Sequence, residues 1–450
     1  MASAKKIGLG FGALVIAGAL YYFTIGSTQI TQEIKRHIDK EVATLSNKGF
    51  SIENREVKEK SEHFVISFDD PKKIGTFLIE KGLQISLSDA EVLKGLKLGV
   101  DLFYLKDAYS SISFDVYPLS LPTIITTSTN KENGQNTLAH IQKLLDKKTF
   151  LMHLDVNKLG SAFKGNLKDI NEVIVQDEKK KKNLTLVMTG FSFSGELKEK
   201  SLHEIKQKLK KMSMQIPHEM QMSLTGVDAA YTFTGKTAFD YHATYTIDTL
   251  QTEIINKLNL TATDLVTKAV SSTKDGLANA TMKSTIKQID IKAATDSYRL
   301  HKFAFDITTK NLDVKAFEQL QTIDPNDEKQ VKETIQKFFS RGIVFEIPTL
   351  SVANIEINTN TLGGLDMEAR MALDKSLNIQ TLERNPMASL SAIDANIKLS
   401  LSKEIYVVLA QQPQVMMIAM MFQPKDVNGK KVYDLQLKNG KVLVNGKPIL

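Results

Sequence analysis

His218 and Glu219 begin like a zincin signature, in which two histidines one helical turn apart bind zinc and the glutamate acts as base. Met222 stands where the second histidine is needed, so no zinc site follows. Gly190, Phe191, Ser192, Phe193, Ser194, Gly195 has the glycines of a nucleophile elbow, but neither serine is central in a G-x-S-x-G pentapeptide. The Phe/Ser alternation reads instead as a strand with one buried face. The eight histidines (His37, His63, His140, His153, His203, His218, His242, His301) lack metal-ligand spacing. Asp69 and Asp70 precede Pro71 and read as turn chemistry. With no cysteine there is no thiol nucleophile, thiolate metal site or disulfide. The residues therefore point to no enzyme, metal or cofactor; the rival is a hydrolase whose groups are scattered along the chain.

The chemistry that the chain does display is apolar. Met1 to Lys6 is a short basic head, and residues 7–26 form an uncharged, mostly apolar run. About twenty helical residues span roughly 30 Å, a bilayer's hydrocarbon thickness. Tyr21, Tyr22 and Phe23 sit at the far end, where an aromatic belt belongs. Lys5 and Lys6 would remain cytoplasmic, which places the body, 27–450, across the inner membrane. Gly8, Gly12, Ala13 and Ala17 make a small-xxx-small face on which two anchors could pair; Gly10 lies in the same run and forms no phosphate loop. The alternative is a cleaved signal peptide ending after Ala17, Gly18, Ala19.

The net charge of +7 is spread among alternating acids and lysines, which suits a solvated surface or anionic head groups and not nucleic acid. Lys179, Lys180, Lys181 and Lys182 read as a hairpin tip, with contact to an anionic surface as the sharper reading.

Period-two alternation dominates the body: Phe64, Ile66, Phe68, then Ile112, Phe114, Val116, and many later runs predict strands. Helical spacing predicts helices over 29–48, 137–147, 198–212, 250–271 and 311–320. The basic 198–212 helix is expected to pack on the sheet, with a bilayer as the other possible neighbour. Asp324 and Pro325 are expected to open a further helix, and Val415 to Phe422 to form a buried one. Asn439, Gly440 predicts a type I′ hairpin turn between Tyr433, Leu435, Leu437 and the returning Val442, Val444.

Four stretches carry a family resemblance: the anchor's Tyr22, Phe23, Thr24, Ile25, Gly26; residues 311–317; residues 341–350; and the ending 433–448 with Asn445, Gly446, Lys447. On these the chain resembles the YdgA-like family of bacterial inner-membrane proteins with no assigned function. The resemblance implies a homodimeric periplasmic body on one anchor and supplies no active residues. Long curved sheets with an apolar inner face would also look like the AsmA-type envelope proteins.

The expected fold is α+β: a transmembrane helix followed by long, mostly antiparallel curved sheets with interspersed amphipathic helices, in one body or two lobes, 27–197 and 218–450. The expected role is binding of membrane lipid or of an envelope protein partner, in maintenance of the cell envelope. A homodimeric assembly scaffold is the alternative.

Overall fold

The computed structural model describes residues 39, 42–80, 90–104, 107, 109–128, 134–177, 182–198, 201–235, 237, 239–293, 295–323, 327–412, 416 and 421–448. The anchor, including Gly8, Gly12, Ala13, Ala17, Tyr21, Tyr22 and Phe23, lies outside these residues, as do Lys179, Lys180 and Lys181; Lys182 begins a strand. Among the described residues no helix is long and apolar enough to cross a membrane. The chain divides into two compact units, Met1–Phe233 and Thr234–Leu450.

In the first unit, β1 (Phe50–Val57), β2 (Ser61–Phe68), β3 (Lys97–Tyr104), β4 (Ser110–Ser120), β5 (Met152–Asn157) and β6 (Ala162–Leu167) pair antiparallel in sequence order. Alternation does the work here. Phe64, Val100, Val116 and Met152 stand opposite one another across four strands, as do Leu102, Phe114 and Leu154, and all are buried. Helix α1 (Pro71–Glu80) adds Ile74, Phe77 and Leu78 to this core, and Phe50 meets both Phe68 and Phe77 edge to face. Helices α2 (Thr123–Ser128) and α3 (Gly134–Asp146) follow β4; α3 contributes the buried Leu144 and Leu145.

β7 (Ile170–Asp177), β8 (Lys182–Thr189), β9 (Ser192–Lys198), β10 (Ser201–Ile216) and β11 (Met220–Phe233) complete this unit. β10 carries β11 along one edge, and β9 followed by β8 along the other. The expected helix over 198–212 is thus an inner strand. Its helical spacing has a physical cause: register slips between Leu202 and Glu204, and between Leu209 and Met212 the chain passes opposite Gly226, which has φ +60°. Each irregularity turns a step of two into a step of three, and three is what a helix periodicity reads. The elbow-like run also resolves into a strand: the Phe163 ring covers Gly195 and the Phe193 ring covers Gly165, leaving no room for a Cβ at either glycine.

In the second unit, β12 (Tyr241–Ile254), β13 (Leu258–Lys274), β14 (Leu277–Ala293), β15 (Asp296–Asp313) and β16 (Val344–Ile357) form an antiparallel meander. The expected helix over 250–271 is therefore the β12–β13 hairpin, for the same reason: the apolar count steps by three from Ile247 to Leu250 and from Ala262 to Leu265, beside Asp264 at φ +53°. Beyond β16, the short β17 (Asn360–Thr361) turns back on it, and β18 (Leu365–Leu373), β19 (Ile393–Leu401) and β21 (Lys430–Lys438) extend the sheet. β20 (Lys425–Val427) and β22 (Lys441–Val444) share the outer edge of β21, and β23 (Lys447–Pro448) pairs with β22.

Between β15 and β16 lie α4 (Val314–Thr322), capped by Asp313, and α5 (Glu328–Phe339), whose cap is Asp327 and not the expected Asp324. Asp324 and Pro325 are outside the described residues. Helices α6 (Ile379–Arg384) and α7 (Pro386–Ser389) precede β19, and α8 (Lys403–Ala410) follows it.

Candidate binding face

The sheet strands of the second unit separate their two faces by chemistry. Because residues directly opposite in neighbouring strands share a face, one row runs Ile247, Leu265, Ile286, Phe303, Val352, Leu365, Leu401 from β12 to β19. A second row runs Phe305, Leu350, Met367, Leu399, Tyr433, and a third Ala369, Ile397, Leu435, Val444. The intervening residues face the other way and carry the ions. Arg370 meets Glu346 and Asp394, Lys310 holds Glu346 at 2.9 Å, and Lys430 holds Asp366 at 2.6 Å.

One end of the apolar face is covered. Phe317 of α4 stacks edge to face on Phe239, beside Ala278 and Val314, and the buried Ile343 and Leu373 lie at the same end of their strands. Other positions on it are open: Tyr245 on β12 is 39% exposed, and on the neighbouring β18, β19 and β21 Met371 is 38%, Ile397 40% and Leu435 36% exposed. Aliphatic and thioether side chains side by side on a sheet can bind hydrocarbon; the charge on this face, Lys431 opposite Leu401, is held by Asp426 at 2.9 Å on the edge strand. Tyr433 is the exception in chemistry. Burial, then the charge and hydrogen bond of Tyr406, push its hydroxyl up to about 12, so it remains a neutral donor at the edge of the face.

The polar clusters of the first unit do other work. His153 lies between two carboxylates, with Nδ1 2.6 Å from Asp115 and Nε2 3.2 Å from Asp155, and Ser113 donates to Asp155 at 2.6 Å. Ser113 is fully buried and bonded to the aspartate, not to the histidine, so this cluster holds no activated nucleophile. A neighbouring set joins His63 and Lys148 to Asp101 at 2.7 and 2.9 Å. Burial alone would raise the Asp101 carboxyl; the hydrogen bonds from His63 and Lys148 outweigh it and hold Asp101 below the usual carboxylate range. Both sets lie across paired strands and bind β2 to β5 together. His218 sits in the β10–β11 turn at φ +62°, far in chemistry from a helical metal ligand. Among the described residues no three histidine or carboxylate side chains converge as metal ligands would. A hollow of 760 Å³ between α5 and α6 is lined by Glu328, Lys332, Glu333, Lys337 and Gln380, a charged surface unlike the apolar face.

Of the residues singled out from the sequence as membrane or anionic-surface contacts, only Lys182 is among the described residues, and it begins β8 of the first unit. The face itself was announced only in part, by the alternation of Leu365 to Leu373 and Ala395 to Leu401.

Residues 119–450 match the family described as "Bacterial protein of unknown function (DUF945)", a span that includes the whole second unit. No curated protein and no solved structure matches the chain.

Proposed function

For a chain that belongs to the DUF945 family of bacterial proteins of unknown function, we propose a role in binding: a non-enzymatic, single-pass inner-membrane protein whose periplasmic body holds lipid acyl chains on the open apolar face of its second unit. The YdgA-like kinship, the anchor over 7–26 and a place in envelope maintenance belong to this reading. The observation that carries it is the set of apolar rows across the second unit, with Met371, Ile397 and Leu435 uncovered on the neighbouring β18, β19 and β21. A soluble surface seldom leaves such side chains adjacent unless something apolar covers them. Pairing of two anchors through Gly8 and Gly12 accompanies the reading as its oligomeric element.

The test uses the full chain in detergent, incubated with a phospholipid bearing a photoactivatable group in its acyl chain, and peptide mapping of the adducts. Adducts at Met371, Ile397 or Leu435, lost in Ile397→Asp, support lipid binding. Adducts confined to residues 7–26 would remove the sheet from the reading. Burial of the same face between two copies, seen as copy-to-copy cross-links through Ile397→Cys, would favour the homodimeric scaffold instead.

A further inference from the structure

The β10–β11 hairpin is dense in one residue type. Met212, Met214, Met220 and Met222 fall within eleven residues, and with Met188 of β8 they make five of the chain's fifteen methionines. Strand pairing gathers them. Met214 stands opposite Met222 across β10 and β11, Met212 stands opposite Met188 across β10 and β8, and Met220 pairs with Ile216. Residues two apart on a strand share a face, as do residues directly opposite, so the five thioethers form one patch with Leu186, Ile216 and Leu224 and no charged side chain among them. Met188 lies in the core of the first unit, while Met212, Met214, Met220 and Met222 are only half-buried.

Packing alone does not call for methionine here. The long apolar row from Ile247 to Leu401 in the second unit is built from Ile, Leu, Val and Phe. Met416 and Met421, of the other methionine run, are 49% and 60% exposed, so the burial expected of 415–422 fails, and neither lies in a paired strand. What methionine adds at the hairpin is a polarisable sulfur on an unbranched side chain, free to turn with its neighbours towards one point. The chain has no cysteine, so no thiolate competes for a soft ion. At the tip of the same hairpin, two residues before Met220, His218 is exposed and forms no hydrogen bond or ion pair among the described residues, which leaves its imidazole free as a nitrogen ligand.

We propose that this patch binds a soft monovalent cation, Cu(I), through the thioethers of Met212, Met214 and Met222, with Met188 and Met220 flanking them. Ligand softness selects this ion. Thioether sulfur favours Cu(I), whereas zinc and harder divalent ions want the histidine and carboxylate sets that do not converge among the described residues. The site is separate from the anchor and from the open face of the second unit, and does not depend on what either binds.

Ag(I) is the first probe, because it shares the charge and softness of Cu(I) and needs no reductant. Full chain in detergent is dialysed against Ag(I) in chloride-free buffer, and separately against Cu(I) kept reduced by ascorbate and buffered by a Cu(I) chelator. Bound metal is then counted by mass spectrometry. The expected result is about one ion per chain, lost in Met214→Leu with Met222→Leu, kept in the control Met367→Leu with Met371→Leu, and not displaced by Zn(II). Leucine preserves volume and apolar character, so the melting temperature of the hairpin variant should stay near that of the parent and separate lost ligands from lost packing. X-ray absorption of the loaded chain should show sulfur neighbours. Equal metal binding by the two double variants overturns the proposal, as does a spectrum with oxygen and nitrogen neighbours alone. Absence of bound ion in the parent chain overturns it too, and leaves the patch as apolar packing.

Discussion

Arg55 holds Glu62 by two donors at once, Nε at 3.1 Å and Nη2 at 2.8 Å from the same carboxylate oxygen, while Nη2 also reaches Asp39 at 2.6 Å. The Glu62 side chain has no solvent exposure, and the Tyr104 hydroxyl donates to its other oxygen. A carboxylate in that position needs its partners, because an unpaired buried charge is far more costly than the pair. Asp39 belongs to the segment that follows residues 7–26, so the same arginine fastens the start of the body to the β1–β2 hairpin.

Replacing Arg55 by Met should destabilise the first unit by about 3 to 5 kcal/mol, the penalty of stranding a buried carboxylate. Denaturant unfolding followed by circular dichroism checks it. Glu62→Gln in the same chain should restore part of the loss, and a double variant no better than Arg55→Met alone would show that Arg55 acts by packing.

Asp101 should make the protein acid-sensitive. Its folded carboxyl titrates below the unfolded one, so its contribution is fully present above the usual carboxylate range and is lost as pH falls through the depressed value. Asp101→Asn should flatten the fall in stability as pH drops below the usual carboxylate range, while lowering stability at pH 7. Equal slopes for the two chains would remove Asp101 as the cause.

Two isoleucine and leucine positions on one face of β19 should behave oppositely. Leu401 is 4% exposed and Ile397 40%. Leu401→Ala should cost about 2 to 5 kcal/mol, as core truncations do, whereas Ile397→Asp should leave the melting temperature nearly unchanged and abolish acyl-chain photolabelling.

Asn439 and Gly440 have φ of +51° and +75°, the geometry of a type I′ turn, and set Leu435 opposite Val444 and Leu437 opposite Val442. Gly440→Val should cost about 1 to 3 kcal/mol through backbone strain. The strain is local, since a Cβ at Gly440 would meet its nearest neighbour, Ser391, only at 3.7 Å. Removing 431–450 deletes β21 and bares β19, which should drive aggregation measurable by light scattering.

The hairpin turn and the plain alternation were written in the sequence alone, whereas the caps Asp313 and Asp327 were not. The Asn439, Gly440 hairpin, the helix expected over 311–320 and found at Val314–Thr322, and the strands built on Phe64, Ile66, Phe68 and Ile112, Phe114, Val116 depend on a residue and its near neighbours, so local pattern suffices. Tertiary pairing decided the rest. Whether a three-residue step is a helical turn or a strand interrupted by a slip or a positive-φ residue depends on the strands paired around it, which is why Leu202 to Met212 and Ile247 to Leu265 mimic helices yet lie in sheets. Exposure is non-local for the same reason. Leu401 and Ile397 are equivalent in alternation, and only the elements packed above them bury the first and leave the second open as part of a binding face.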